Sequence, residues 1–197
     1  ERDGYRFEIV EAAAVPDLLP QLRAVSDAWL RGKNAREKGF SLGFYHENYL
    51  RTGPVAIARH DAEIAAFANL WLGGREELSV DLMRYPPDSP NGLIDFLLIQ
   101  IMLWGRDQGY EWFNLGMAPL AGLQNRNLAP LWNRFGALVF GGGEALYNFR
   151  GLHQYKDKFN PHWEARYLAA PGGLALPRVL TELTALIAGG VRGVIGK

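Results

Sequence analysis

The chain has no cysteine at all. That excludes a disulfide scaffold, a thiolate zinc site and a cysteine nucleophile together. It fits a reducing compartment. It has no excess of either charge: 21 Lys+Arg stand against 21 Asp+Glu in 197 residues. A uniformly basic nucleic-acid binder is therefore excluded, though a local basic patch is not. Nor is there an apolar run of the roughly 18 residues that suggest a membrane span. The richest run, Leu93 to Trp104, is interrupted by Asp95 and Gln100 and reads as a buried core helix. No serine lies in a G-x-S-x-G elbow. The four histidines, His46, His60, His153 and His162, show no metal-ligand spacing. The chain opens on Glu1-Arg2-Asp3-Gly4, with neither Met nor a signal-peptide pattern, which predicts a piece of a longer protein.

What is present is enough apolar material, 48%, for a packed core of about one domain. Tyr5 to Val10 alternates as a strand. From Pro16 a helical stripe runs through Leu18, Leu22, Val25, Trp29 and Leu30, ending near Gly32. Lys33 to Ser41 is polar and basic and reads as a loop. Pro54–Arg59, Glu63–Leu72 and Glu77–Met83 read as strands joined by short links, hence an antiparallel meander. In the second, Phe67, Asn69 and Trp71 share a face. In the third, alternation sets Leu78, Val80 and Leu82 against Ser79, Asp81 and Met83.

Tyr85 to Gly92 holds three prolines and is a loop. A helix from Leu93 to Gln108 stops at Gly109. Glu111 to Leu115 is expected as a buried strand, Pro130–Phe135 and Glu144–Tyr155 as helices, and Ala165–Ala169 as a last strand. Residues 1–170 then form one domain, followed at 171–197 by an amphipathic helix (Pro177 to Ala188) and a Gly-rich tail. The order predicts an α/β fold of the GNAT-like acyltransferase type, a mixed, mostly antiparallel sheet flanked by helices.

Several residues have the chemistry of a site. Asp81 and Arg84 lie three apart on a strand, so they meet on one face only if the strand bulges or ends between them. The alternative is a pair solvated at a strand end. Tyr147 to Phe159 carries Arg150, Lys156, Lys158, one His and four aromatics. It suits phosphate and base contacts or is simply an amphipathic helix. Glu144 follows three glycines and is either a helix-dipole carboxylate or a catalytic one. Trp71, Trp104, Trp112, Trp132 and Trp163 are expected in the core. A coenzyme A fold would place a Gly-rich, N–H-rich turn after the central strand. Met83 to Gly92 instead loses three donors to proline and adds Asp88, which argues against a CoA donor.

Seven segments in order resemble one family. They are Glu37 to Gly43, Ala66 to Trp71, Glu77 to Tyr85, Phe113 to Leu120, Leu131 to Arg134 and Gly143 to Phe149. The seventh is Tyr155 to Pro161, followed by Trp163 and Arg166 to Leu168. Together they resemble the C-terminal cytosolic domain of the phosphatidylglycerol lysyltransferase (multiple peptide resistance factor) family. The resemblance implies the second of two GNAT-like folds of a membrane protein at the cytoplasmic face of the bacterial membrane. It implies transfer of a lysyl or alanyl group from aminoacyl-tRNA to phosphatidylglycerol, with no cofactor. The membrane would be reached through parts outside this chain, and a homo-oligomer is allowed. By the same resemblance Asp81, Arg84, Glu144 and Lys156 would be catalytic, and Asn69, Asn148, Arg150, Lys158 and Arg166 would bind substrate. The competing readings are a Fem-type transferase with a peptidoglycan acceptor, a CoA-dependent acetyltransferase, and a non-catalytic module that clamps tRNA or lipid.

Overall fold

The computed structural model describes residues 4–33, 43–74, 76–118 and 149–167, with positions 175, 178, 179 and 182. Among these residues the elements are β1 (Tyr5–Val10), α1 (Val15–Lys33), α2 (Glu47–Leu50), β2 (Val55–His60), β3 (Glu63–Gly73), β4 (Glu77–Arg84), α3 (Leu93–Asp107), β5 (Trp112–Asn114) and α4 (Phe149–Asp157). They belong to two compact units, one built on residues up to Asn114, the other spanning 115–168.

The first unit is a five-stranded sheet in the order β1-β2-β3-β4-β5. The first four strands pair antiparallel, and β5 joins β4 in parallel after the crossover through α3. This is the expected α/β, GNAT-like arrangement. Each face of the sheet carries its own core. On one, α1 buries Val15, Leu19, Leu22 and Val25 against Val55, Ile57, Phe67 and Leu82. Leu19 completes that stripe; Leu18 packs only at its edge and Leu30 is outside it.

On the other face β2 and β3 present a floor of small side chains, Ala56, Ala58, Ala66 and Ala68, beneath Leu93, Leu97 and Ile101 of α3. Small residues let the helix approach closely. Gly105 continues the fit, since a Cβ there would lie 2.6 Å from Leu78 Cδ2. Gly109, at φ +88°, lies just past the helix end, where an αL residue is favoured. No helix among the described residues is long and apolar enough to cross a membrane.

Four expectations need correction. First, β4 does not alternate throughout. Ala68 pairs with Met83 and Leu70 with Val80, so Asn69 alone faces both Asp81 and Leu82. This is a bulge, and it transfers Leu82 to the α1 core while Met83 packs on the α3 side.

Second, β5 is short and mostly exposed rather than buried; among the described residues it pairs on one side only, with β4. Third, Trp71, Trp112 and Trp163 are exposed, not core; Trp104 alone of the described tryptophans in that group packs against a core. Fourth, residues 165–167 form no strand. Residues 34–42, Pro130–Phe135, 144–148 and most of the C-terminal segment lie outside the described residues. At the described positions of that segment the backbone is helical, and Arg178 pairs with Glu182 at 2.7 Å.

Candidate functional site

The bulge in β4 organises the site. A bulge leaves backbone groups without ladder partners, and here the Leu82 N–H donates to Asn69 Oδ1 at 2.7 Å. Asn69 is only 5% exposed. Its amide oxygen thus holds the bulged strand, while the residue also lines the adjacent cleft. Beyond the bulge Arg84 sits in register with Phe67, on the same face as α1. The condition set by the three-residue spacing is met: Asp81 and Arg84 share that face.

They do different things there. Asp81 Oδ1 accepts from the Gly43 N–H at 3.0 Å, and Oδ2 accepts from the Tyr49 hydroxyl at 2.6 Å. The Tyr49 oxygen in turn accepts from Trp71 Nε1 at 2.7 Å. A directed relay therefore runs from indole to phenol to carboxylate. Burial, followed by donation to Asp81, pushes the Tyr49 phenol above its usual range. It remains a protonated donor at neutral pH.

Gly43 is required by this packing. A Cβ there would overlap Asp81 Oδ2 and come within 2.7 Å of its Cγ. Arg84, 8% exposed, lays its guanidinium 3.9 Å over the Trp29 ring of α1. Such a cation–π contact is worth ~0.5–2 kcal/mol, more when desolvated. One turn further along α1, Gly32 leaves room for Pro87, whose Cβ lies 2.6 Å from where a Gly32 Cβ would stand. The proline-rich loop is so pinned to the helix end. Its Ser89 and Leu93 N–H groups are taken by the Pro86 and Pro90 carbonyls rather than turned outward together.

Beside the relay lies a cleft of about 440 Å³, lined among others by Tyr49, Asn69, Trp71, Glu77 and Ser79. Sequence reasoning missed Tyr49, Trp29 and Glu77 and assigned Trp71 to the core. The signal for Trp71 was available: it shares a strand face with Asn69 two residues away, and that face is polar at its end.

In the second unit Lys156 is 7% exposed, and its Nζ donates to the Met117 carbonyl at 2.9 Å. Burial holds its pKa below the usual lysine value. Gly116, at φ +75°, turns the chain beside that ammonium. Lys158 lies 4.9 Å from the Tyr155 ring, and Arg166 pairs with Glu164 at 2.8 Å in solvent. His153, Asp157 and Trp163 close a local network. The His153 Nδ1–Asp157 distance is 2.9 Å, the indole N–H donates to the same carboxylate, and the two rings stack. Of the other expected residues, Glu144 and Asn148 lie outside the described residues, as does the side chain of Arg150. No group of three metal-ligating side chains occurs among the described residues.

Comparison with known proteins agrees with the resemblance in the sequence. The family described as phosphatidylglycerol lysyltransferase, C-terminal, matches residues 1–170. The phosphatidylglycerol lysyltransferase of Bacillus subtilis is 40% identical over 189 residues, 95% of this chain and 22% of its own length. That of Staphylococcus haemolyticus is 40% identical over 165 residues, 83% of this chain and 19% of its own. This chain thus spans about a fifth of such relatives.

Among solved structures, a C-terminal domain attributed to a lysylphosphatidylglycerol synthetase of Agrobacterium fabrum superposes with a TM-score of 0.80 at 47% identity. The match covers 98% of this chain and 58% of that one. L-PGS of Bacillus licheniformis gives 0.74 at 39%, covering 94% and 55%. With a family match across residues 1–170, the chain belongs to the phosphatidylglycerol lysyltransferase C-terminal family.

Proposed function

We propose that this chain is the C-terminal catalytic part of a longer, membrane-bound enzyme. That enzyme moves a lysyl group from lysyl-tRNA to a hydroxyl of phosphatidylglycerol at the cytoplasmic face. The relatives' names support the lysyl group and the lipid, and their length supports further parts beyond residues 1–197. The single observation that carries the reading is the β4 bulge. It turns Asp81, through Tyr49, and Arg84 to one face of the sheet.

The chemistry is a transesterification. The lipid hydroxyl attacks the ester carbonyl of the aminoacyl group, its proton passes to a base, and the ribose oxygen leaves and regains a proton. A neutral primary hydroxyl is a weak nucleophile, so a positioned carboxylate must direct its proton. Both Asp81 oxygens already accept hydrogen bonds. We assign Asp81 the orientation of the Tyr49 phenol, to which it is bonded, and Glu144 the part of the base. The oxyanion of the tetrahedral intermediate needs a donor about 3 Å away, worth a few kcal/mol. Lys156, desolvated and donating one hydrogen bond to Met117, has further N–H groups for this. The part of Arg84 is to hold the lipid phosphate through its planar fork. Asn148, Arg150, Lys158 and Arg166 complete the expected substrate contacts, and orienting two large substrates supplies much of the rate.

The test is an assay of the full-length protein with lysyl-tRNA and vesicles containing phosphatidylglycerol, with the lipid products resolved by chromatography. Lysyl-phosphatidylglycerol is expected, and Arg84→Ala abolishes it while leaving the protein folded. Labelled peptidoglycan precursor instead of lipid, acetyl transfer from acetyl-CoA, or full lipid product from Arg84→Ala overturns the proposal.

A further inference from the structure

Lys156 stands in the last turn of α4, a helix of nine residues. Helices that short are marginal on their own, and helix ends fray. Yet the Lys156 ammonium is buried and aimed at the Met117 carbonyl. Helix propensity alone does not hold that turn in place.

The chain holds it by folding back on the helix. The Phe159 and Asn160 N–H groups donate to the Lys156 and Asp157 carbonyls at 3.0 Å, and Asn160, at φ +48°, reverses the direction. Pro161 prevents the helix from resuming. Trp163 then lies against the helix. Its ring stacks on His153, with centroids 4.6 Å apart and planes 7° from parallel. Its Nε1 donates to Asp157 Oδ1 at 2.9 Å, while His153 Nδ1 lies 2.9 Å from Oδ2. Both oxygens of one carboxylate are therefore engaged, one from within the helix and one from the returning chain. Tyr155 and Phe159 add an edge-on ring contact at 5.8 Å across the same junction. The indole is 41% exposed, so its contribution is the stack and the hydrogen bond more than burial. His153 and Asp157 are one helical turn apart, and the turn they close carries Lys156.

We propose that Trp163, Asp157 and His153 form a clasp that positions Lys156, keeping the last turn of α4 closed so that the ammonium stays at the Met117 carbonyl. The three are positioning residues that act through Lys156. The proposal rests on the transfer reaction above only for what Lys156 is positioned to do.

The test is a brief pulse of acetic anhydride on the full-length protein, with lysine labelling read residue by residue by mass spectrometry. Exposed Lys158 is the internal reference. Trp163→Ala and Asp157→Ala should each raise Lys156 labelling relative to Lys158 by about tenfold, the rise in locally open population expected when a hydrogen bond to a charged group is lost. His153→Ala should do the same. His153→Arg should label as the wild type does, because a guanidinium both stacks on an indole and pairs with a carboxylate. In the lipid assay Trp163→Ala and Asp157→Ala should lower kcat about tenfold or more with KM little changed, as displacement of a group that acts in the transition state does. Where Trp163→Ala melts as a whole, the Asp157→Ala protein decides.

Unchanged Lys156 labelling in the folded variants, labelling in His153→Arg as high as in His153→Ala, or exposure of Lys156 with kcat undiminished overturns the proposal. The two readouts separate it from the functional reading. If the variants expose Lys156 in a protein that makes no aminoacyl lipid, the functional reading fails and the clasp stands. If lysyl-phosphatidylglycerol forms and Lys156 stays protected in the variants, the clasp alone fails.

Discussion

Replacing Tyr49 by Phe removes one oxygen and tests the relay directly. That oxygen donates to Asp81 Oδ2 at 2.6 Å and accepts from Trp71 Nε1 at 2.7 Å. A hydrogen bond to a charged group contributes ~1.5–3 kcal/mol net. Tyr49 and Asp81 are only half-buried, so water partly replaces the lost donor. The expected cost is therefore at the low end, ~1–2 kcal/mol. For a domain of 150–250 residues each kcal/mol shifts Tm by about 2–4 °C, so Tyr49→Phe should melt about 2–8 °C lower.

The functional consequence is sharper. If Asp81 acts by orienting Tyr49, then Asp81→Asn and Tyr49→Phe disable the same device. The double variant should then transfer lysine to lipid no more slowly than the worse single variant. The assay is the initial rate of labelled lysyl transfer by the full-length protein, set beside urea and thermal melts of the same variants. Independent sites would multiply their losses. Multiplying rate losses, or a Tyr49→Phe protein with unchanged Tm and full activity, would refute the positioning role.

Asn69→Ala leaves the bulged Leu82 N–H unpartnered in a buried setting, and should cost ~1–3 kcal/mol in denaturant melts. Gly43→Ala drives a methyl group into the Asp81 carboxylate; such overpacking costs ~1–3 kcal/mol. It should also release Tyr49 from Asp81, visible as a changed tryptophan fluorescence from Trp71. Lys156→Met should abolish lipid transfer with little net change in stability, since relief of a buried charge offsets the lost hydrogen bond to the Met117 carbonyl. It also has a pH signature. Burial depresses the folded-state pKa of Lys156, so the unfolded chain holds that proton more tightly. Wild-type stability should therefore rise with pH from the folded pKa up to the ordinary lysine value of about 10.5. The Met variant should lack that component in melts compared at neutral and alkaline pH.

The sequence by itself determined the meander and its order. Period-two alternation in Val55–His60 and Glu63–Gly73 and the links at His60-Asp61-Ala62 and Gly73-Gly74 are local signals, and local signals survive packing. It determined the apolar helix α3 for the same reason, and the proline loop after β4. The motif segments named the family, because seven short matches in order constrain identity even where none of them shows what it touches.

Only the tertiary structure decided what those residues do. Alternation predicts that Leu82 faces with Leu78, yet one extra residue opposite Asn69 moves it across the sheet and brings Asp81 and Arg84 to one side. A bulge arises from pairing with a neighbouring strand and from a side chain that satisfies the freed N–H, so it leaves no periodic trace in either strand alone. The exposed tryptophans follow the same logic. Composition predicts burial for Trp71 and Trp112, yet they stand 54% and 59% exposed. Whether an indole becomes core or surface depends on which element covers its part of the sheet, a relation between distant segments that no local pattern encodes.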